Sequence, residues 1–360
     1  MTVTRDSRTP NYVVDGDGHV IEPGGIFGSA QRADRNPINV SPNTPFEMCG
    51  GADLSEQFES GWSAESYLHA MDAQGIDAAV LYPSVGLFVP YQDGITTDEH
   101  LSACAGYDDW IAQYCAHAPN RLAGVGIAPV LGEGAVAARE AERAKGLGLV
   151  AMMVRPNFVF GRNLGDRGFD PLYDALEANG LVLAVHEGFG VQSGPTIGAD
   201  RFPGFTARHL CSHPMEQMAA MASLMLDGAL ERHPQLRVAF LESGTGWLPY
   251  WLARLDDHIE WMHDTETKQL SLSATEYFAR QCVISCDPED TLVARTVETV
   301  GADHVIWASD FPHPDAAYPD AVEEFLEENP TLDRPTLESV LSRTPAEFYD
   351  LTDRFTPRAS

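Results

Sequence analysis

Lysine is almost missing from this chain: its 360 residues include two, Lys145 and Lys268, and 23 basic residues face 53 acidic ones for a formal charge of −30. Such a surface repels phosphate backbones and anionic lipid, which argues against a nucleic-acid or membrane partner. No apolar run approaches the roughly 18 residues that span a bilayer, and the polar start, residues 1–10, lacks the apolar core of a signal peptide. The six cysteines (Cys49, Cys104, Cys115, Cys211, Cys282 and Cys286) are dispersed, with no CxxC pair and no compact framework. Reduced thiols in a cytoplasmic protein are the simplest reading. A glycine-rich phosphate turn is also absent. Asp15-Gly16-Asp17-Gly18 carries two carboxylates where a pyrophosphate would sit, which argues against a doubly wound nucleotide fold.

What is present is a core and a rhythm. Hydrophobic residues make up 44% of the chain, enough to exclude wholesale disorder. Apolar, β-branched stretches alternate with helical patterns, the signature of parallel βα units. Strands are expected over 12–17, 78–82, 122–130, 148–155, 181–186, 236–242, 282–286 and 305–309. Helices are expected from Ser63 to a stop at Gly75, over 98–118, over 134–145, and from Asp170-Pro171 to Gly180. Others follow over 214–230, from Gly246-Trp247, at a Ser273/Glu276 capping box, after Asp287-Pro288 and from Pro319. Eight such pairs with no dominant linker indicate a single (β/α)8 barrel domain over 1–360. It carries a long irregular insertion at 24–61, a second irregular stretch at 188–212, and C-terminal helices and tail at 335–360.

Active sites of such barrels gather at the carboxyl ends of the strands. Those ends carry Asp17 and His19 after the first strand, Arg155 after the fourth, His186 after the fifth, Glu242 after the sixth, and Asp310 and His313 after the eighth. Asp17 and His19 are two apart, so on an extended segment both face the same way. With His186 and Asp310 they form a mixed nitrogen and oxygen set suited to Zn²⁺, Mn²⁺ or Fe²⁺. Glu242 is a candidate general acid or base beside such an ion. Arg155 is a candidate clamp for a substrate carboxylate or a structural ion pair. His213, before the expected helix at 214, and His313 are candidate acid/base or substrate-binding groups. Phe27, Trp62, Tyr82 and Phe88 are expected on loops roofing an apolar or aromatic substrate.

The stretches Asp17-Gly18-His19-Val20-Ile21-Glu22-Pro23, Met71-Asp72-Ala73-Gln74-Gly75-Ile76-Asp77, Glu242-Ser243-Gly244-Thr245-Gly246-Trp247-Leu248-Pro249 and Ser309-Asp310-Phe311-Pro312-His313 resemble the amidohydrolase-related branch of the amidohydrolase superfamily. That branch includes aminocarboxymuconate semialdehyde and γ-resorcylate decarboxylases. The resemblance runs from residue 12 to about 350. It implies a barrel holding one divalent ion, Zn²⁺ or Mn²⁺, through Asp17, His19, His186 and Asp310. It also implies a homo-oligomer, dimer or tetramer, with 24–61 and the C-terminal helices as contact surfaces.

Two departures stand out. Many superfamily members bridge two metals with a carboxylated lysine on strand four, but Lys145 lies before that strand and Lys268 after the strand-six helix. One metal follows. The decarboxylases also carry an acid/base histidine after strand six, where this chain has Glu242. Three functions therefore stand side by side: non-oxidative decarboxylation of an aromatic or unsaturated acid; hydrolysis of an amide, ester, lactone or C–C bond by metal-activated hydroxide with Glu242 shuttling the proton; and a non-catalytic barrel with a decayed site.

Overall fold

All eight expected strands form, and they hydrogen-bond in chain order with every adjacent pair parallel. They are β1 Val14–Val20, β2 Ala78–Pro83, β3 Leu122–Ile127, β4 Ala151–Val154, β5 Val182–His186, β6 Arg237–Leu241, β7 Cys282–Cys286 and β8 Val305–Trp307. The structure, a computed structural model, describes residues 8–31, 48–188 and 194–355. The strands are buried almost throughout, as a parallel sheet covered by helices requires. No helix among the described residues is long and apolar enough to cross a membrane.

Local chemistry sets the helix ends. The Ser63 side chain accepts from Ser66 N to start the helix Ala64–Gln74, and Gly75 ends it in the left-handed region at φ 75°. Thr96/Glu99 and Ser273/Glu276 both form complete capping boxes. Gly180, at φ 60°, ends the helix Asp170–Asn179.

Several expected boundaries are corrected. The Met-rich helix runs Phe205–Leu226, with Pro214 inside it rather than at its start, and a short separate helix Ala229–Arg232 follows. A helix can absorb the one backbone bond a proline removes when packing holds the rest, and here the face with Gln217, Ala220, Met221 and Leu224 is buried. Only 189–193 of the expected irregular stretch lies outside the described residues, and its last part is this helix.

Asp287-Pro288 does not open the next helix, which runs Val293–Val300. Asp290 organises the turn instead, accepting from Leu292 N at 2.8 Å and from both Thr245 N and Thr245 Oγ1 at 2.7 Å. The helix expected from Pro319 starts at Ala321. In the insertion 24–61, residues 32–47 lie outside the described residues. The described part is not wholly irregular, since it contains the helix Ser55–Glu59.

The seam between β8 and β1 closes through a buried carboxylate. Asp15 accepts from Asp17 N and Ser309 N at 3.1 and 3.0 Å through Oδ1, and from Ser309 Oγ at 2.5 Å through Oδ2. Two backbone bonds flank it, His19 N to Phe311 O at 2.7 Å and Asp310 N to Asp17 O at 3.2 Å.

At the opposite end the C-terminal segment crosses the strand starts. Arg237 donates to Phe348 O and Gly180 O, and Arg354 donates to Pro119 O, Gly148 O and Leu122 O. Tyr349, 1% exposed, reaches the barrel interior, where its hydroxyl meets that of Tyr82 at 2.6 Å.

Candidate metal centre and its proton-carrying flank

The first ligand strand is irregular for a reason visible in the sequence. Between Asp15 and Gly18 the β1–β2 register slips by one residue, so β1 bulges at Gly16-Asp17. Asp15 is thereby spent on the seam while Asp17 and His19 turn towards the barrel mouth. Gly18 is required by close approach: a Cβ there would lie 2.6 Å from Tyr67 Oη and 2.8 Å from Asp15 Oδ2. Beyond two other strands the backbone itself is unusual. Glu242 (φ 48°) and Asp310 (φ 52°) both occupy the left-handed region, where non-glycine residues are uncommon and often belong to functional sites.

Asp17, His19 and His186 come together, and Asp310 meets them at His19. His19 Nδ1–H donates to Pro83 O at 2.9 Å and His186 Nδ1–H to Glu187 O at 2.7 Å. A carbonyl can only accept, so both imidazoles carry their proton on Nδ1 and present a lone pair on Nε2. Those two Nε2 atoms stand 3.1 Å apart. Asp17 Oδ1 lies 3.7 and 3.4 Å from them, and Asp310 Oδ1 lies 3.4 Å from His19 Nε2. Asp17 Oδ1 is buried without a hydrogen-bond donor.

Electron-pair donors brought this close repel each other unless a cation stands between them. A proton shared by the two imidazoles would leave the Asp17 oxygen unanswered. Bonds of 2.0–2.2 Å to one ion put neighbouring ligand atoms about 2.9–3.6 Å apart, close to the separations seen, so the donor set fits a divalent metal. Burial, with His313 and His186 nearby, drives the His19 imidazole well below its usual value, which keeps it a neutral ligand.

Glu242 borders this set. Its Oε2 lies 3.4 Å from His186 Nδ1 and its Oε1 3.4 Å from His213 Nε2, while its backbone N donates to Ser285 Oγ at 2.9 Å. Burial pushes the Glu242 carboxyl up, but His213 and His186 outweigh it and hold the group well below the carboxylate range. Burial pushes His213 down, and Glu242 reverses that and raises it. The pair favours a carboxylate beside a protonated imidazole. His209 continues the line outward: its ring centroid is 4.2 Å from that of His213, and its Nε2 is 3.6 Å from the exposed Asp315. On the other side His313 Nδ1 is 2.8 Å from Asp310 Oδ1 and its Nε2 is 3.0 Å from Ser84 Oγ.

Sequence reasoning missed Asp287. It follows β7 directly, burial raises its carboxyl well above the usual range, and Oδ1 has no hydrogen-bond partner. The strand-end rule that found Asp310 would have found it, had Asp287-Pro288 not looked like a helix start.

A cavity of about 400 Å³ opens here, against His209, His213, Glu242, Asp287, Leu292 and Asp310. A larger groove of about 890 Å³, lined in part by Arg162, Arg167 and Trp261, shares no residue with it.

The expected substrate-binding residues do not roof this cavity. Tyr82 is not on a roof but on β2, fully buried, with its ring 5.5 Å from that of His186. It is a floor, propped from below by Tyr349. Phe27 is 1% exposed and stacks on Tyr107 at 6.2 Å. Trp62 packs edge-on to Phe58 at 5.1 Å. Arg155 is wholly buried with its guanidinium 3.2 Å from the equally buried Glu187, donates to Leu87 O at 2.6 Å, and lies over the Phe88 ring at 5.6 Å. None of these five lines the cavity.

Replacing Arg155 with alanine should therefore cost about 3–5 kcal/mol of stability by removing a buried ion-pair partner of Glu187. Urea unfolding checks this. A raised KM with unchanged stability would instead return Arg155 to the substrate.

Comparisons with known proteins agree with the architecture. A 2-amino-3-carboxymuconate-6-semialdehyde decarboxylase of Dictyostelium discoideum is 24% identical over 272 residues, 74% of this chain and 71% of that protein. Two solved structures share the fold. A 5-carboxyvanillate decarboxylase from Sphingomonas paucimobilis has TM-score 0.72 and 21% identity, covering 95% of this chain and 100% of that one. The 5-carboxyvanillate decarboxylase of Novosphingobium aromaticivorans, complexed with manganese and 4-hydroxy-3-methoxy-5-nitrobenzoic acid, has TM-score 0.71 and 20% identity, covering 97% and 100%. The family model described as amidohydrolase matches residues 14–351, spanning every strand of the barrel, and the chain belongs to that amidohydrolase family.

Proposed function

We propose that this protein is a divalent-metal-dependent carboxy-lyase, its whole chain one barrel domain, that removes CO₂ non-oxidatively from an aromatic or unsaturated carboxylic acid. The gathering of Asp17, His19 and His186, with Asp310 beside His19 and Asp17 Oδ1 buried without a donor, carries the reading. The three similar proteins named above, all decarboxylases, support the reaction class. A bound Zn²⁺ or Mn²⁺ would supply positive charge to grip a substrate carboxylate and an adjoining oxygen.

The chain's own residues would do the rest. Asp17, His19, His186 and Asp310 hold the ion, and the Pro83 and Glu187 carbonyls fix the tautomers of the two histidines. The bond from the substrate carbon to its carboxylate breaks, and the electron pair stays on that carbon. A proton then replaces CO₂ there. His213 and Glu242, an imidazolium against a carboxylate, store that proton beside the cavity, and His209 with Asp315 connects the store to solvent. His313, held between Asp310 and Ser84, is placed to orient Asp310 or a substrate oxygen.

The deficit of positive charge supports a small molecule rather than a nucleic acid as partner, and the dispersed cysteines support a cytoplasmic setting. A homo-oligomer belongs to the same reading.

Glu242 favours a second reading, hydrolysis of an amide, ester, lactone or C–C bond, because a carboxylate suits proton removal from attacking water. Turnover in H₂¹⁸O separates the two. The expected result is one CO₂ released per product and no ¹⁸O in the organic product. Incorporation of ¹⁸O without gas release would establish the hydrolase instead.

A further inference from the structure

On the outer helical layer, away from the strand ends that carry the proposed chemistry, a second group of ligand atoms comes together. The helix Asp170–Asn179 leads into β5, and the helix Ala229–Arg232 leads through His233 into β6. Asp174 and Glu177 are three apart on the first helix and so share a face. His233 is 4% exposed. Its Nε2–H donates to Asp170 Oδ1 at 3.2 Å, and that carboxylate is held in turn by Arg232 at 2.7 Å. The proton being on Nε2, the lone pair of Nδ1 faces Asp174 Oδ1 at 3.2 Å and Glu177 Oε2 at 3.6 Å. Nδ1 is buried and has no hydrogen-bond partner.

We propose that His233 Nδ1, Asp174 and Glu177 form a second divalent transition-metal site of the class that accepts Zn²⁺ or Co²⁺. Three features argue for it. One imidazole nitrogen with two carboxylates is a borderline donor set, whereas Ca²⁺ demands six to eight oxygens. The separations are those of ligands sharing one ion at bonds of about 2.0–2.2 Å. Asp170 behind the ring completes the carboxylate–histidine arrangement that fixes a metal-binding tautomer. Asp174 has a side chain 71% exposed, which leaves an entry path and an open position for water. Filled, the site ties the segment entering β5 to the one entering β6. It takes no part in the reaction proposed above.

The test is metal content after equilibrium dialysis of the purified protein against buffered Zn²⁺, in the wild type and in Asp174→Ala, His233→Gln and Asp310→Asn. The site predicts one more zinc per chain in the wild type than in Asp174→Ala or His233→Gln, with turnover kept in Asp174→Ala. Asp310→Asn lowers content by a different equivalent and abolishes turnover, so failure at either site is distinguishable from failure at the other. Equal zinc in wild type and Asp174→Ala overturns the proposal. So does a ¹⁵N spectrum in which His233 remains doubly protonated at saturating Zn²⁺, the mark of an imidazolium between carboxylates. Asp174 is exposed, so its variant folds even where His233→Gln does not.

Discussion

Asp310→Asn is expected to lose the divalent ion and with it nearly all turnover. Asparagine matches aspartate in shape and tolerates the left-handed backbone that Asp310 adopts at φ 52°, so the fold should be unaffected. What changes is the charge on an oxygen 3.4 Å from His19 Nε2. Substitutions that merely touch a metal ligand cost about 10- to 100-fold in affinity or activity, and a ligand itself should cost more than about 100-fold. Elemental analysis and steady-state kinetics on one preparation check both halves. A variant with full metal and full turnover would remove Asp310 from the site. Wild-type protein with no stoichiometric metal, and no activation on adding Zn²⁺ or Mn²⁺, would reduce the barrel to a non-catalytic scaffold.

Glu242→Gln should act differently, leaving the ion in place and lowering kcat by about 10²- to 10⁴-fold, the usual worth of positioned acid/base groups. The diagnostic is the pH profile. Burial alone lowers His213, and the Glu242 carboxylate 3.4 Å away raises it above 6.5. Removing that negative charge lets the imidazolium lose its proton at lower pH. If His213 must be protonated for turnover, the alkaline limb of the kcat profile moves to lower pH in the variant. A drop in kcat with an unmoved limb would reassign Glu242 to holding His186 in place, since its Oε2 is also 3.4 Å from His186 Nδ1.

The strands and the positions just past them were legible because parallel strands buried on both faces make continuous apolar runs that end abruptly. A polar residue just past such a run in a barrel has only the mouth to occupy. Period-two reasoning placed Asp17 beside His19, although a bulge at Gly16-Asp17, invisible in the pattern, sets their actual directions. The aromatics were misjudged for a physical reason. A ring near a turn can cover a pocket or fill a core, and composition does not separate the two. Tyr82 was the tractable case, since it sits within a strand and pairs in register with His19. Its hydroxyl partner, Tyr349, is 267 residues away and belongs to a segment whose docking no local signal announces. Pro214 misled in the same manner: propensity favoured a helix start, and burial of the following turns overrode it.

The bond between the first and last strands bears on biogenesis. Asp17 and His19 leave the ribosome long before Asp310 is polymerised, and the Asp15 clasp that sets their spacing needs Ser309. A nascent chain thus offers only scattered donors of low affinity. Loading of the proposed ion waits until the last strand is in place, and the ion taken up is selected by whatever pool the folded barrel meets.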